Sequence, residues 1–205
     1  MTAAKNLWSI GLLFYILLIR LMPYLLELIG YSVDPATTVY PWNFSPVMAI
    51  CLVAPVAFSR SHWRSALIPL GGMLLSDLAI LGLKGPDFAL YSNQPVVYAC
   101  FGLGILLGHW LRNHRQWTSL LAAGLASECL FFAITNFGTW WFQLASPTPV
   151  YSADFSGLMM CYTFAIPFFG RSLLSTMIYG SVLYAAVGWL ESREGQSLST
   201  ADGVS

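Results

Sequence analysis

Two carboxylates lie inside long apolar stretches of this sequence, and they are the residues best placed to do chemistry. Asp77 lies in the apolar run 65–83, and Glu128 lies in the run 117–137. A carboxylate at the centre of a bilayer costs roughly 2.5–3.5 kcal/mol on insertion scales, so it is kept where it has a partner and faces protein or water. Asp77 is therefore a candidate ligand-binding residue, with an ion pair or hydrogen bond between helices as the structural alternative. Glu128 is a candidate proton or cation site, with a protonated, hydrogen-bonded side chain as the alternative.

The composition indicates the class of protein in which these carboxylates lie. Apolar residues make up 57% of the 205 positions and charged residues 9%, against roughly 25% charged residues in soluble domains. The mean hydropathy is +0.67, the net charge is zero, and no run of Lys or Arg suggests a nucleic-acid partner. The sequence therefore predicts a polytopic membrane protein, long enough for about six spans of roughly 20 residues each.

The apolar pattern predicts an all-α protein with six transmembrane helices, at about 7–22, 43–58, 65–83, 95–111, 117–137 and 172–190. The apolar segment 157–169 is too short to span, so it is predicted to be a re-entrant or interfacial segment before the last helix. Residues 1–191 then form a single transmembrane domain. The polar tail 192–205 is predicted to be disordered and cytoplasmic.

The basic residues predict the orientation of the helices. With the N-terminus in the cytoplasm, the inner side holds Lys5, Arg60, Arg64, Arg112, Arg115 and Arg193, and the outer side holds Arg20, Lys84 and Arg171. The excess of basic residues on the inner side agrees with the positive-inside rule. All eight tryptophans also fall near predicted span ends, as in an aromatic belt. Both termini are therefore predicted to be cytoplasmic.

Polar side chains from several predicted spans reach the outer half of the membrane. Asp77 is about six residues from the outer end of its span, or roughly 9 Å deep. The candidate substrate-binding residues near that depth are Arg20, Asn43, Asp77, Asn136, Trp140, Tyr162 and Arg171. Two cations, a carboxylate, two amides and aromatic rings predict a site for a small polar molecule. In the alternative, the arginine snorkels, Asn43 caps a helix and the tryptophans anchor to lipid headgroups.

Motifs for catalysis or for metal binding are absent from the sequence. It contains no nucleophile elbow, zinc-protease helix motif or phosphate-binding loop, and the three histidines and four cysteines lack metal-ligand spacing. We therefore expect a protein that is not an enzyme and has no cofactor and no metal. An ATP-driven role would need separate ATPase subunits.

Two pairs of small residues are predicted to let helices approach closely. Gly104 and Gly108 lie four apart in the fourth predicted span, and Ala122 and Ala126 lie four apart in the fifth. Small residues at this spacing are common where membrane helices pack together.

Four groups of residues, in this order, carry a family resemblance: Asn43-Phe44-Ser45-Pro46-Val47; Pro69-Leu70 with Ser76-Asp77; Phe131-Phe132 with Thr135-Asn136-Phe137 and Trp140; and Gly157-Leu158 with Cys161-Tyr162 and Pro167-Phe168-Phe169. Over about 17–190, the chain resembles uncharacterised bacterial membrane proteins related to the S (substrate-binding) components of energy-coupling factor (ECF) transporters. The resemblance implies an S-component-like fold in the bacterial inner membrane. It also implies a vitamin or similar micronutrient as substrate, bound on the outer side, and a coupling protein with two ATPase subunits as partners.

Two other functions fit the same residues. The chain could be a stand-alone secondary carrier, coupled to protons through Glu128. It could instead be a non-transporting structural or assembly protein, in which the polar groups only hold helices together.

Overall fold

The computed structural model describes residues 3–31, 45–59 and 61–202, with side chains described for 7–31, 45–59 and 61–193. In this part of the chain every regular element is a helix, which confirms the predicted all-α class. The helices are α1 (Ala3–Leu28), α2 (Val47–Ala57), α3 (His62–Lys84), α4 (Pro86–Ala89), α5 (Gln94–Asn113), α6 (Trp117–Gln143) and α7 (Phe155–Asp202).

Within the described residues, five helical stretches are long and apolar enough to cross a membrane. They are Leu7–Leu28, His62–Lys84, Pro86–Asn113, Trp117–Gln143 and Phe155–Arg193. Large apolar side chains such as Leu106, Leu125 and Val182 are exposed on their outer faces, as expected where lipid replaces water. The chain is an α-helical membrane protein.

The helix α2 forms the centre of the bundle. Ten of its 11 residues are buried, and it contacts α3, α5, α6 and α7. Its length of about 17 Å is less than the roughly 30 Å of a hydrocarbon core. The second predicted span is thus a short buried helix within the described residues, and the count of six spans remains a prediction.

The prediction that 157–169 forms a re-entrant or interfacial segment separate from the last helix is wrong. These residues form the beginning of α7, which continues through Pro167 into the predicted last span. A proline removes one helical hydrogen bond, whereas leaving the helix would expose several backbone groups to lipid, so the continuous helix is favoured. The helix also reaches Asp202, into the tail 192–205 whose disorder remains a prediction.

Glycines on α5 allow it to approach α2 closely. A Cβ added at Gly108 would lie 2.6 Å from the carbonyl oxygen of Leu52, and one at Gly104 would lie 2.6 Å from the sulfur of Met48. The predicted role of this glycine pair is confirmed. On α6 the prediction was wrong, because Ala122 is exposed and the buried small residues include Ala123.

Candidate functional site

The carboxylate of Asp77 lies in a polar cluster between α1, α3 and α5, which we call the Asp77 cluster. Arg20 donates from Nη2 to Oδ1 of Asp77, forming an ion pair. Oδ2 accepts hydrogen bonds from Gln94 Nε2 (2.8 Å) and Tyr98 Oη (2.7 Å). Arg20 also donates from Nη1 to the sulfur of Met73 (2.9 Å). Asp77 is 5% exposed, and its two oxygens already have three donors between them.

The beginning of α5 connects this cluster to α6. Gln94 binds Asp77, while the neighbouring Asn93 donates from Nδ2 to the carbonyl oxygen of Thr135 (2.8 Å) and to the hydroxyl of Thr139 (3.0 Å). A Cβ added at Gly138 would lie 2.2 Å from Oδ1 of Asn93. The glycine therefore gives the amide of Asn93 the room it needs against α6.

A cavity of about 310 Å³ lies between α6 and α7, and we call it the α6–α7 cavity. Its lining residues are Glu128, Phe131, Phe132, Thr135, Asn136, Ala165, Phe168, Phe169, Arg171 and Ser172. The volume is at the small end of the range for ligand sites, and a mainly apolar lining with a few polar groups is typical of them.

Glu128 lies at one end of this cavity and is 1% exposed. Its Oε2 accepts a hydrogen bond from Ser172 (2.7 Å) and its Oε1 accepts one from Thr176 (2.5 Å). Glu128 lies 11 positions into the 27-residue helix α6, or about 17 Å along it. Ser175, which directly precedes Thr176 on α7, donates to the carbonyl oxygen of Ser45 (2.8 Å), so the residues just before α2 lie beside this part of α7.

Arg171 lies inside a continuous helix and not at the beginning of one. The sequence places it at the outer beginning of the last span, but it is inside α7 and directly precedes Ser172, which binds Glu128. Its Nε donates to the carbonyl oxygen of Pro167 (3.3 Å), and its guanidinium lies 4.9 Å from the ring centre of Phe168. The sequence predicts a helix end at Arg171 because its apolar pattern divides α7 into two segments.

The seven predicted binding residues do not converge on one cavity in the described part of the chain. Arg20 and Asp77 belong to the Asp77 cluster, whereas Asn136 and Arg171 line the α6–α7 cavity. Tyr162 donates to the carbonyl oxygen of Ala133 (2.6 Å) and Trp140 donates to that of Ser152 (2.9 Å). Asn43 lies outside the described residues. The assignment of all seven to a ligand remains a prediction.

The loop between α6 and α7 is held by side chains from its two ends. Gln143 Oε1 accepts from the backbone N–H of Val150 (2.7 Å). Asp154 precedes α7, and its Oδ1 accepts from Ser152 Oγ (2.6 Å) and from the N–H of Gly157 (2.9 Å). These hydrogen bonds, the one from Ser152 first, lower the pKa of Asp154 below its ordinary value. Asp154 is thus an N-cap that orders the start of α7.

Sequence reasoning missed the uncharged partners of both carboxylates. Gln94 and Tyr98 complete the Asp77 cluster, and Ser172 and Thr176 bind Glu128. One signal was available, because the spacing of Ser172 and Thr176 places both hydroxyls on one helix face. Among the residues that the structure describes, no group of three or more His, Cys, Asp or Glu side chains could hold a metal ion.

Residues 2–198 match a family described as "Family of unknown function (DUF6580)", and the chain belongs to this family. No curated protein and no solved structure matches the chain.

Proposed function

We propose that this chain is a membrane-embedded substrate-binding protein for a small micronutrient, and that the α6–α7 cavity holds the substrate. The observation that carries the proposal is the combination in this cavity of an apolar wall with Glu128, Asn136 and Arg171. Charged side chains at membrane depth are expensive and mark functional sites by default. We expect binding without catalysis.

The transport partners in this proposal come from the resemblance to S components of ECF transporters. An S component would need a coupling protein and ATPase subunits, and the chain would lie in the bacterial inner membrane with both termini in the cytoplasm. The exposed apolar faces of the long helices are compatible with membrane partners and with lipid alone. Co-purification with a coupling protein is the direct test of this part.

The binding role can be tested by native mass spectrometry of the purified protein, followed by extraction and identification of any bound small molecule. Ala165→Phe fills the α6–α7 cavity, because Ala165 lines it. Ile166→Phe is the matched control, since this neighbouring side chain is 58% exposed on the same helix. We expect one molecule bound to the wild type and to the control, and none to Ala165→Phe. A wild type without a bound molecule, or equal binding in both variants, would count against the proposal.

A stand-alone carrier coupled to protons is the second candidate function. The observation that favours it is that Glu128 is buried and held by two hydroxyls, with no cation paired to it among the described side chains. Such a carboxyl group can gain or lose a proton without breaking an ion pair. This candidate needs no ATPase subunits, so uptake by the isolated protein distinguishes it from the first.

A further inference from the structure

We propose that the α6–α7 cavity takes a small organic anion, with Arg171 binding its acidic group and the phenylalanine walls enclosing an apolar, flat body. This inference rests on the proposed function and names the class of substrate. It does not use the Asp77 cluster, in which the ion pair between Arg20 and Asp77 is already complete.

Arg171 brings a positive charge to the cavity. An arginine stays protonated in proteins and offers five N–H donors. Of these, Nε donates to Pro167, and the guanidinium also contacts the Phe168 ring. Within the described ranges, Arg171 forms no ion pair with a carboxylate, and its two Nη groups have no hydrogen-bond acceptor. A guanidinium fork with free donors is suited to bind a carboxylate or phosphate in bidentate geometry.

The cavity also contains hydrogen-bond acceptors, on Glu128 and Asn136. Both oxygens of Glu128 already accept from hydroxyls, of Ser172 and Thr176. Asn136 donates from Nδ2 to the carbonyl oxygen of Phe132 (2.7 Å), which leaves its Oδ1 as an acceptor. The cation Arg171 is therefore the strongest group with unused donors, and with Glu128 protonated the cavity favours an anion over a cation.

The cavity extends along α6 and is lined by phenyl rings. Glu128 and Asn136 are eight residues apart on α6, or about 12 Å along the helix. On α7, Ser172 lies beside Glu128, and Cys161 Sγ lies 3.5 Å from the carbonyl oxygen of Asn136. Between Glu128 and Asn136, the rings of Phe132 and Phe169 pack with their centroids 5.0 Å apart. The space suits an acid at the Ser172 end, a flat apolar body packed against the phenyl groups and a hydrogen-bond donor near Asn136.

The test compares two probes of almost equal shape, benzoate and benzamide, which differ in charge. Binding is measured by saturation-transfer NMR and equilibrium dialysis on the full chain in nanodiscs. We expect benzoate to bind the wild type at least about tenfold more tightly than benzamide, since a bidentate ion pair is roughly twice as strong as a neutral hydrogen bond. Arg171→Gln should remove this preference and Arg171→Lys should keep part of it. Arg193→Gln is the matched control, because Arg193 is on the same helix and stacks on Trp189 (4.3 Å).

A third probe, decanoate, tests whether the anion comes from the bilayer. Binding of decanoate that depends on Arg171, without binding of benzoate, supports the anion and identifies a lipid-borne source. Equal binding of benzoate and benzamide to the wild type overturns the inference, and this comparison requires no variant to fold. The absence of binding by benzoate and by decanoate overturns it as well.

The variant Ala165→Phe separates this inference from the proposed function. If both aromatic probes bind the wild type, are lost in Ala165→Phe and are unaffected by Arg171→Gln, the cavity is a binding site and the anion inference fails alone. If the probes bind the wild type and Ala165→Phe changes the binding of none of them, both the inference and the proposed function fail.

Discussion

Arg20 on α1 and Asp77 on α3 form an ion pair inside the helix bundle. A second ion pair, between Glu27 and Lys84 (2.6 Å), joins the ends of the same two helices. The side chain of Asp77 is 7% exposed, whereas that of Glu27 is 55% exposed. The two pairs therefore join the same helices in different surroundings, and their energies should differ for that reason.

The first prediction is that Asp77→Asn destabilises the protein far more than Glu27→Gln. Removing one partner of a buried ion pair leaves an uncompensated charge and costs about 3–5 kcal/mol, while an exposed pair contributes about 0–1 kcal/mol. The free energy of unfolding, from denaturant titration in detergent, checks this difference. Equal values for the two variants would be the contrary result. Loss of a bound molecule at unchanged stability would instead indicate that Asp77 contacts substrate.

The sequence was sufficient to identify the two intramembrane carboxylates, because the cost of a charge in hydrocarbon does not depend on the fold. It could not reveal that Asp77 is saturated by Gln94 and Tyr98. Uncharged polar residues near span ends are common, so the sequence does not show which of them form hydrogen bonds with Asp77. The continuity of α7 through Pro167 was also hidden, since proline usually ends a helix in water and is tolerated in membranes. That error is what misplaced Arg171.

The second prediction concerns helix packing on α5. Gly108→Ala should destabilise the protein by about 1–3 kcal/mol, the usual cost of overpacking, because the new Cβ would meet the carbonyl oxygens of Leu52 and Cys51 at 2.6 and 2.8 Å. Gly102→Ala is the matched control on the same helix, since its Cβ would meet no atom within 4 Å. There alanine should be neutral or stabilise the helix by up to about 1 kcal/mol. Thermal unfolding of both variants in detergent checks the order, and a stable Gly108→Ala variant would show that α2 and α5 are not in close contact.

The third prediction concerns the pH dependence of the beginning of α7. The pKa of Asp154 is lowered by the hydrogen bonds from Ser152 and Gly157. Its contribution to stability is therefore present above the unfolded pKa of about 3.9, and it is lost as the pH falls through the lower folded pKa. The melting temperatures of wild type and Asp154→Ala should differ at pH 6 and converge in acid. A difference that does not change with pH would mean that the carboxylate does not cap the helix in its charged form.

The fourth prediction separates the two candidate functions at Glu128. Glu128→Gln keeps the size of the side chain and an oxygen for one of the hydroxyls of Ser172 and Thr176, but it cannot exchange a proton. If the chain is a proton-coupled carrier, liposomes containing only this protein should accumulate the co-purifying molecule under a pH gradient, and Glu128→Gln should abolish accumulation while preserving exchange. Glu191→Gln is the control, because that carboxylate pairs with Arg115 and does not line the α6–α7 cavity.

Accumulation that persists in Glu128→Gln would remove the coupling role. Binding without any accumulation by the isolated protein would favour a substrate-binding subunit that depends on separate partners.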